Sequence, residues 1–316
     1  METRIRQLRK AGLIALVTLP MLLLVWQLVL PTEAAAAKIK SPGTWTAPCG
    51  TPGGLACMLE GREGAATTVV DNEIIVSHGF SAIPGDTNDT RIYDIDADTW
   101  SNPAPVPPAC VRSELAGAAH GDLHYAVGGR GFCGGGPFGV LGDLEVYDRV
   151  ANAWSTLPSM PTPRAGLAAA VVGNKLYAIG GRTGTTPGTG AALSCLEAYE
   201  IALAIWSPAC GTPGALAPMP VAAMDVAAIA HGGKIYVIGG ASGPDFFIGA
   251  PLLSTVQIYD VAHDSWAPGA AMPTARANLA LAKCGSVILA LGGRTGPAFL
   301  GAVSNTATVE AYDIPS

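Results

Sequence analysis

The sequence predicts an all-β chain assembled from tandem four-stranded units, and three observations carry that prediction. First, a tyrosine stands seven residues before a tryptophan four times, at Tyr93–Trp100, Tyr147–Trp154, Tyr199–Trp206 and Tyr259–Trp266. Second, apolar runs upstream of the tyrosines end in glycine pairs at Gly128-Gly129, Gly180-Gly181, Gly239-Gly240 and Gly292-Gly293, and His78-Gly79 takes that place in the first copy. Third, 40 Gly and 25 Pro beside only 13% charged residues suit short strands joined by tight turns, not helices with ion-paired faces.

The first forty residues follow a different plan. Met1–Lys10 carries Arg4, Arg6, Arg9 and Lys10, twenty residues without a charge follow from Ala11 to Leu30, and then comes Pro31-Thr-Glu-Ala-Ala-Ala-Ala37. A basic stretch, an apolar stretch and small residues are the layout of an export signal. Twenty residues also make about 30 Å of helix, enough to cross a bilayer. Residues 1–37 therefore read either as a signal peptide or as an N-terminal hydrophobic helix that anchors the chain in a membrane through residues 11–30. In both readings the basic flank stays cytoplasmic and residues 38–316 are exported. That body keeps 14 Lys and Arg against 22 Asp and Glu, a charge of −8, and lacks the basic run that a nucleic-acid partner would require. Its seven cysteines fit an oxidising compartment, and the odd count leaves at least one unpaired.

Within the body the period is 52–60 residues, and the text between landmarks repeats as well. Lys175-Leu-Tyr-Ala-Ile-Gly-Gly181 matches Lys234-Ile-Tyr-Val-Ile-Gly-Gly240, and Met160-Pro-Thr-Pro-Arg164 matches Met272-Pro-Thr-Ala-Arg276. Each repeat holds two apolar runs before and through the Gly-Gly, one around the Tyr and one starting at the Trp. Gly, Pro, Asp and Asn separate these runs, the pattern of a meander of four short strands, a to d.

From about Thr44 to the C-terminus these landmarks resemble the kelch repeat: a strand ending in Gly-Gly, then Tyr-Asp, then Trp, then a Met-Pro-x-x-Arg-like connection. The resemblance implies a β-propeller with one four-stranded blade per repeat, and the tyrosines count five blades. The last tyrosine, Tyr312, has no Trp after it, while Trp45 has no Tyr before it. Thr44–Leu59 is therefore expected to supply the missing fourth strand and close the ring, leaving no unpaired edge.

Alternating strand directions put the b–c and d–a connections on one face. The b–c loops follow each Gly-Gly, and all six phenylalanines fall in them, outside any strand: Phe80, Phe132, Phe138, Phe246, Phe247 and Phe299. Arg130, Arg182 and Arg294 directly follow a Gly-Gly and are expected near the axis. Aromatics and Arg are enriched at binding hot spots, and Arg grips carboxylates bidentately. Arg112, Arg164 and Arg276 recur before the next repeat and read as structural. If Tyr199 opposes Trp206, then Cys195 opposes Cys210, which predicts a cross-strand disulfide. Cys49 and Cys57 form a second candidate pair, and Cys110, Cys133 and Cys284 stay unassigned.

Chemistry finds little purchase. His120, His231 and His263 lie in turns of the opposite face, so a histidine-rich metal centre is not expected. Asp94-x-Asp96-x-Asp98 lacks the Gly and Glu that a calcium loop would place at its sixth and twelfth positions. There is no nucleophile elbow, phosphate loop or Cys-x-x-Cys. The expectation is an exported binding module, without cofactor or metal, that recognises a protein or glycan through the b–c loop face. Its alternatives are a sugar-modifying enzyme resembling sialic-acid epimerases, with the axial arginines on the substrate carboxylate, and a surface scaffold.

Overall fold

The computed structural model describes residues 54–315 except 59, 82–84, 103–109, 185–189, 244–249 and 297–303. Residues 1–53 lie outside that set, and with them the predicted hydrophobic helix and most of the predicted closing strand. No helix among the described residues is long and apolar enough to cross a membrane. The chain divides into two units, residues 1–57 with 95–99, and residues 58–94 with 100–316. In the first, the Ala56 amide donates to Asp98 Oδ1 at 2.6 Å. The second carries the sheets.

The described elements are all β. The first sheet runs β1 (Ala66–Val70), β2 (Glu73–Ser77), β3 (Thr90–Asp94) and β4 (Thr99–Ser101). A small sheet of β5 (Cys110–Ser113), β8 (Arg130–Cys133) and β9 (Gly139–Val140) precedes and interleaves with the second repeat, which consists of β6 (Ala116–His120), β7 (Leu123–Val127), β10 (Leu144–Asp148) and β11 (Ala153–Leu157). The third is β12 (Ala168–Val172), β13 (Lys175–Ile179), β14 (Leu196–Glu200) and β15 (Ile205–Trp206). The fourth is β16 (Ala227–His231), β17 (Lys234–Ile238), β18 (Val256–Asp260) and β19 (Ser265–Gly269). Three strands form the fifth: β20 (Ala280–Cys284), β21 (Val287–Leu291) and β22 (Val309–Asp313). Every repeat pairs its strands antiparallel in chain order, as the four-run pattern requires, and the innermost strands β1, β6, β12, β16 and β20 lie side by side in succession.

The repeated aromatics explain the packing. Tyr147, Tyr199 and Tyr259 sit directly opposite Trp154, Trp206 and Trp266, with ring centroids 5.0–5.4 Å apart. A second tyrosine on strand b reaches the next sheet: Tyr177 meets Tyr259 and Tyr236 meets Tyr312, each at 6.0 Å. Ala, Val, Ile and Leu fill the remaining space from the second sheet to the fifth, so those interfaces are apolar layers, stitched by aromatic pairs between the third, fourth and fifth.

The recurring arginines hold strands b and c together from inside. Arg112 donates to the carbonyls of Gly128 (2.7 Å), Asp143 (2.9 Å) and Ala126 (3.2 Å) and to Glu145 (2.8 Å). Arg164 does the same through Ala178 and Glu197, and Arg276 through Gly292, Thr308 and Glu310. The fourth repeat replaces both members at once: Ala223 stands for the arginine and Gln257 for the glutamate. Gln257 then bonds the Val221 amide and carbonyl at 2.8 and 3.1 Å. A buried carboxylate without its cation would be costly, so the charges leave as a pair.

One loop expectation is corrected. Phe132 lies in strand β8 opposite Val111, not in an irregular loop, because Cys110 and Cys133 are cross-strand partners and extend the pairing beyond the single bridge seen in the other repeats.

Arg164→Ala is expected to cost about 3–5 kcal/mol by stranding Glu197. The double change Arg164→Ala, Glu197→Gln, which copies the fourth repeat, should recover most of that loss in denaturant unfolding.

Candidate functional site

The residue two positions before each innermost strand takes a left-handed backbone: Gly64, Glu114, Gly166, Asp225 and Asn278, with φ between +52° and +63°. Glycine adopts that conformation freely, whereas Glu, Asp and Asn pay about 1 kcal/mol or more for it. The geometry is imposed from outside. The Gly166 amide donates to the Glu114 carbonyl (2.9 Å), Asp225 to Gly166 (2.7 Å) and Asn278 to Asp225 (3.0 Å), so the connections link from sheet to sheet.

These positions line a cavity of about 820 Å³ with Glu63, Phe80, Arg130, Arg294 and Thr306. The residue after each Gly-Gly bridges to the d–a connection of its repeat: Phe80 to Glu63, Arg130 to Ser113, Arg182 to Ala165, Ala241 to Met224 and Arg294 to Ala277. The three predicted arginines thus share one face, and the structure adds their partners. Glu114 binds Arg130 Nε through one oxygen at 2.7 Å and Arg182 through the other. Asp225 lies 3.9 Å from Arg182 and 3.4 Å from Arg294. The result is an alternating series, Arg130, Glu114, Arg182, Asp225, Arg294. Burial pushes the Asp225 carboxyl up to about 6, against the opposing pull of Arg182 and Arg294.

Aromatic residues rim this face. Phe80, Phe132 and Phe138 are 41%, 48% and 38% exposed. Phe132 and Phe138 pack edge to face at 5.2 Å, and the Arg130 guanidinium lies 5.6 Å from the Phe138 ring centre. Phe246, Phe247 and Phe299 lie outside the described residues. The structure joins Cys195 to Cys210, with Cα atoms 5.5 Å apart. It also joins Cys110 to Cys133, which spacing in the sequence left unassigned. Cys57 is disulfide-bonded, Cys49 lies outside the described residues, and Cys284 is free and exposed.

Sequence reasoning missed Glu114, Asp225 and Asn278. A signal was present: all three precede an apolar residue and an alanine, at Glu114-Leu-Ala116, Asp225-Val-Ala227 and Asn278-Leu-Ala280, matching Gly64-Ala-Ala66 and Gly166-Leu-Ala168. Charged residues at a position where two repeats carry glycine mark the place.

Successive four-stranded meanders with their inner strands adjacent are consistent with a kelch β-propeller. The Kelch motif family model matches residues 163–209 and 223–273, and the chain is a kelch-repeat protein. It is similar to Kelch-like protein terF of Aspergillus terreus, with 29% identity over 80% of this chain and 54% of the relative. It is also similar to Kelch-like protein 36 of Bos taurus, with 26% identity over 67% of this chain and 32% of the relative. Alpha-scruin of Limulus polyphemus is 25% identical over 57% of this chain and 18% of the relative. The chain spans about half or less of the length of these curated relatives.

Because the folded value of Asp225 is raised, its protonation stabilises the fold below the ordinary carboxylate range, and that contribution is lost as pH rises through about 6. A carboxyl ¹³C titration should show one midpoint near 6, absent in Asp225→Asn; an Asp225 midpoint near 4 would contradict the burial argument.

Proposed function

We propose that this chain is an exported binding protein that holds a partner protein on the face carrying the cavity. Kelch repeats typically mediate protein binding. The observation that carries the reading is the aromatic platform of the small sheet. Phe132, Phe138 and Arg130 are partly exposed on a hairpin stapled by the Cys110–Cys133 disulfide, beside Phe80 at the cavity rim. Rigid aromatics and an arginine are what protein interfaces use as anchors.

The sugar-enzyme alternative draws less support. Arg130, Arg182 and Arg294 each have a carboxylate partner within the chain, so a substrate carboxylate would have to displace Glu114 or Asp225. We place the body outside the cytoplasm on the N-terminal layout together with its disulfides, which persist in oxidising compartments. In this reading the five repeats are five blades.

Phe132→Ala with Phe138→Ala should weaken capture of the native partner about 30-fold or more at unchanged melting temperature, as hot-spot truncations do. Unchanged capture would overturn this face as the binding surface. Mass mapping of the unreduced secreted protein should find Cys110–Cys133 and Cys195–Cys210 linked, and alkylated thiols at these four positions would contradict the assigned compartment.

A further inference from the structure

The first and second sheets meet through a chemistry unlike that of the other described sheet pairs. At the second position of strand b the third to fifth repeats carry Leu176, Ile235 and Ile288; the second repeat carries His124. At the last position of strand b the later repeats carry Val127, Ile179, Ile238 and Leu291; the first carries Ser77. Where the others have the first glycine of Gly-Gly, the first repeat has His78, in the same left-handed backbone at φ +59°. Thr68 stands where strand a otherwise offers Ala118, Ala170, Ile229 or Ala282. Four apolar or glycine positions have become polar together, and all four side chains touch.

They form one buried relay. Thr68 Oγ1 lies 2.7 Å from His124 Nδ1, and His124 Nε2 lies 2.8 Å from Ser77 Oγ. Ser77 Oγ lies 3.1 Å from His78 Nδ1, and His78 Nε2 lies 3.0 Å from Glu145 Oε2, which Arg112 holds from the other side at 2.8 Å. His78, His124, Ser77 and Arg112 are wholly buried. The Trp154 ring meets both imidazoles edge-on at 5.7 Å.

One set of protons satisfies both imidazoles and both hydroxyls. Thr68 donates to His124 Nδ1, His124 Nε2–H to Ser77, Ser77 to His78 Nδ1, and His78 Nε2–H to Glu145, with both imidazoles neutral. A proton added to His78 Nδ1 reverses the relay: Ser77 accepts it and donates to His124 Nε2, His124 Nδ1–H turns to Thr68, and the Thr68 hydrogen loses its place in the relay. A proton added to His124 forces Thr68 to turn and puts a charge in an apolar layer with no carboxylate beside it. The charged groups facing His78 are Arg112, which opposes protonation, and Glu145 and Asp89, which favour it; His124 faces His78.

We propose that this relay is an acid-sensitive latch that joins the first sheet to the second at neutral pH and releases it in acid. Burial holds His78 down at about 4 and His124 at about 3, against an ordinary 6.5. A released state takes up protons that the closed one refuses, so closure is fully favoured above 6.5 and is lost as pH falls. Between about 6.5 and 4 each pH unit favours release by up to tenfold per histidine, up to a hundredfold for the two. Release would also withdraw Glu63, Gly64 and Phe80 from the cavity wall, since Gly79 hangs from the Arg112 carbonyl at 2.9 Å. That consequence for binding rests on the function proposed above; the latch does not.

The test is amide hydrogen exchange on the full chain at pH 7, 6 and 5, corrected for intrinsic rates. Opening constants for residues 66–77 should rise about ten- to a hundredfold per unit below 6.5, while those for 168–179 in the third sheet change much less. His124→Leu with Ser77→Val, which copies later repeats but keeps His78, should cut the response of residues 66–77 from up to a hundredfold per unit to at most tenfold. Equal pH dependence in the two sheets, or an unchanged slope in the variant, would overturn the latch. If the double variant does not fold, the comparison of the two sheets in the unaltered protein decides alone. No partner enters the measurement, so loss of the binding reading leaves this result standing.

Discussion

The structure depends on a charge that should not be where it is. In three of the described repeats an arginine with no solvent contact sits between strands b and c, bonding one glutamate of strand c and a carbonyl of strand b, and in Arg112 and Arg276 also the carbonyl just before strand c. An ion taken out of water must recover its hydration from fixed partners, and only one strand register supplies them all. The arginine therefore sets where the Gly-Gly bend falls relative to strand c. That in turn fixes where the following residue points, which is why Arg130, Arg182 and Arg294 reach a common face. The fourth repeat shows the same constraint from the other side: without the arginine, the glutamate becomes Gln257 and an apolar-compatible amide pair takes over.

Above that frame the cavity stores a different tension. The backbone is forced left-handed at one position per repeat, and in three repeats the residue there is not glycine. Glu114 and Asp225 recover the cost by bridging arginines from neighbouring repeats, so the series of alternating charges couples sheets that otherwise meet through apolar layers. A polar, internally neutralised cavity beside exposed aromatics is suited to a partner that docks on the rim rather than to an anion drawn to free cations.

Much of this was legible in advance. The seven-residue Tyr–Trp spacing is a cross-strand pair across a short hairpin, so it announced strands c and d and their register, and with them the Cys195–Cys210 pairing. Glycine pairs announced the bend after strand b. The Cys110–Cys133 pairing was hidden, because it joins a connection to a loop across residues whose extension into a small sheet no periodicity signals. The Thr68, Ser77, His78 and His124 relay was hidden for a related reason. Each residue looks like an isolated departure from its repeat, and the departures fall in two different repeats.

The sequence by itself determined the repeat, the strand order within it and the structural role of the buried arginines, because these are local: each is settled by residues close together on one hairpin or at one fixed spacing. Tertiary structure alone decided which acids meet which arginines, which imidazoles share a relay and which loop becomes a strand. Some of those pairings close within one repeat, as Glu114 with Arg130 does 16 residues on, but the longest, Asp225 with Arg294 at 69, form only when neighbouring repeats pack. A repeated pattern says what each unit is; the contacts between units depend on where each copy departs from the pattern.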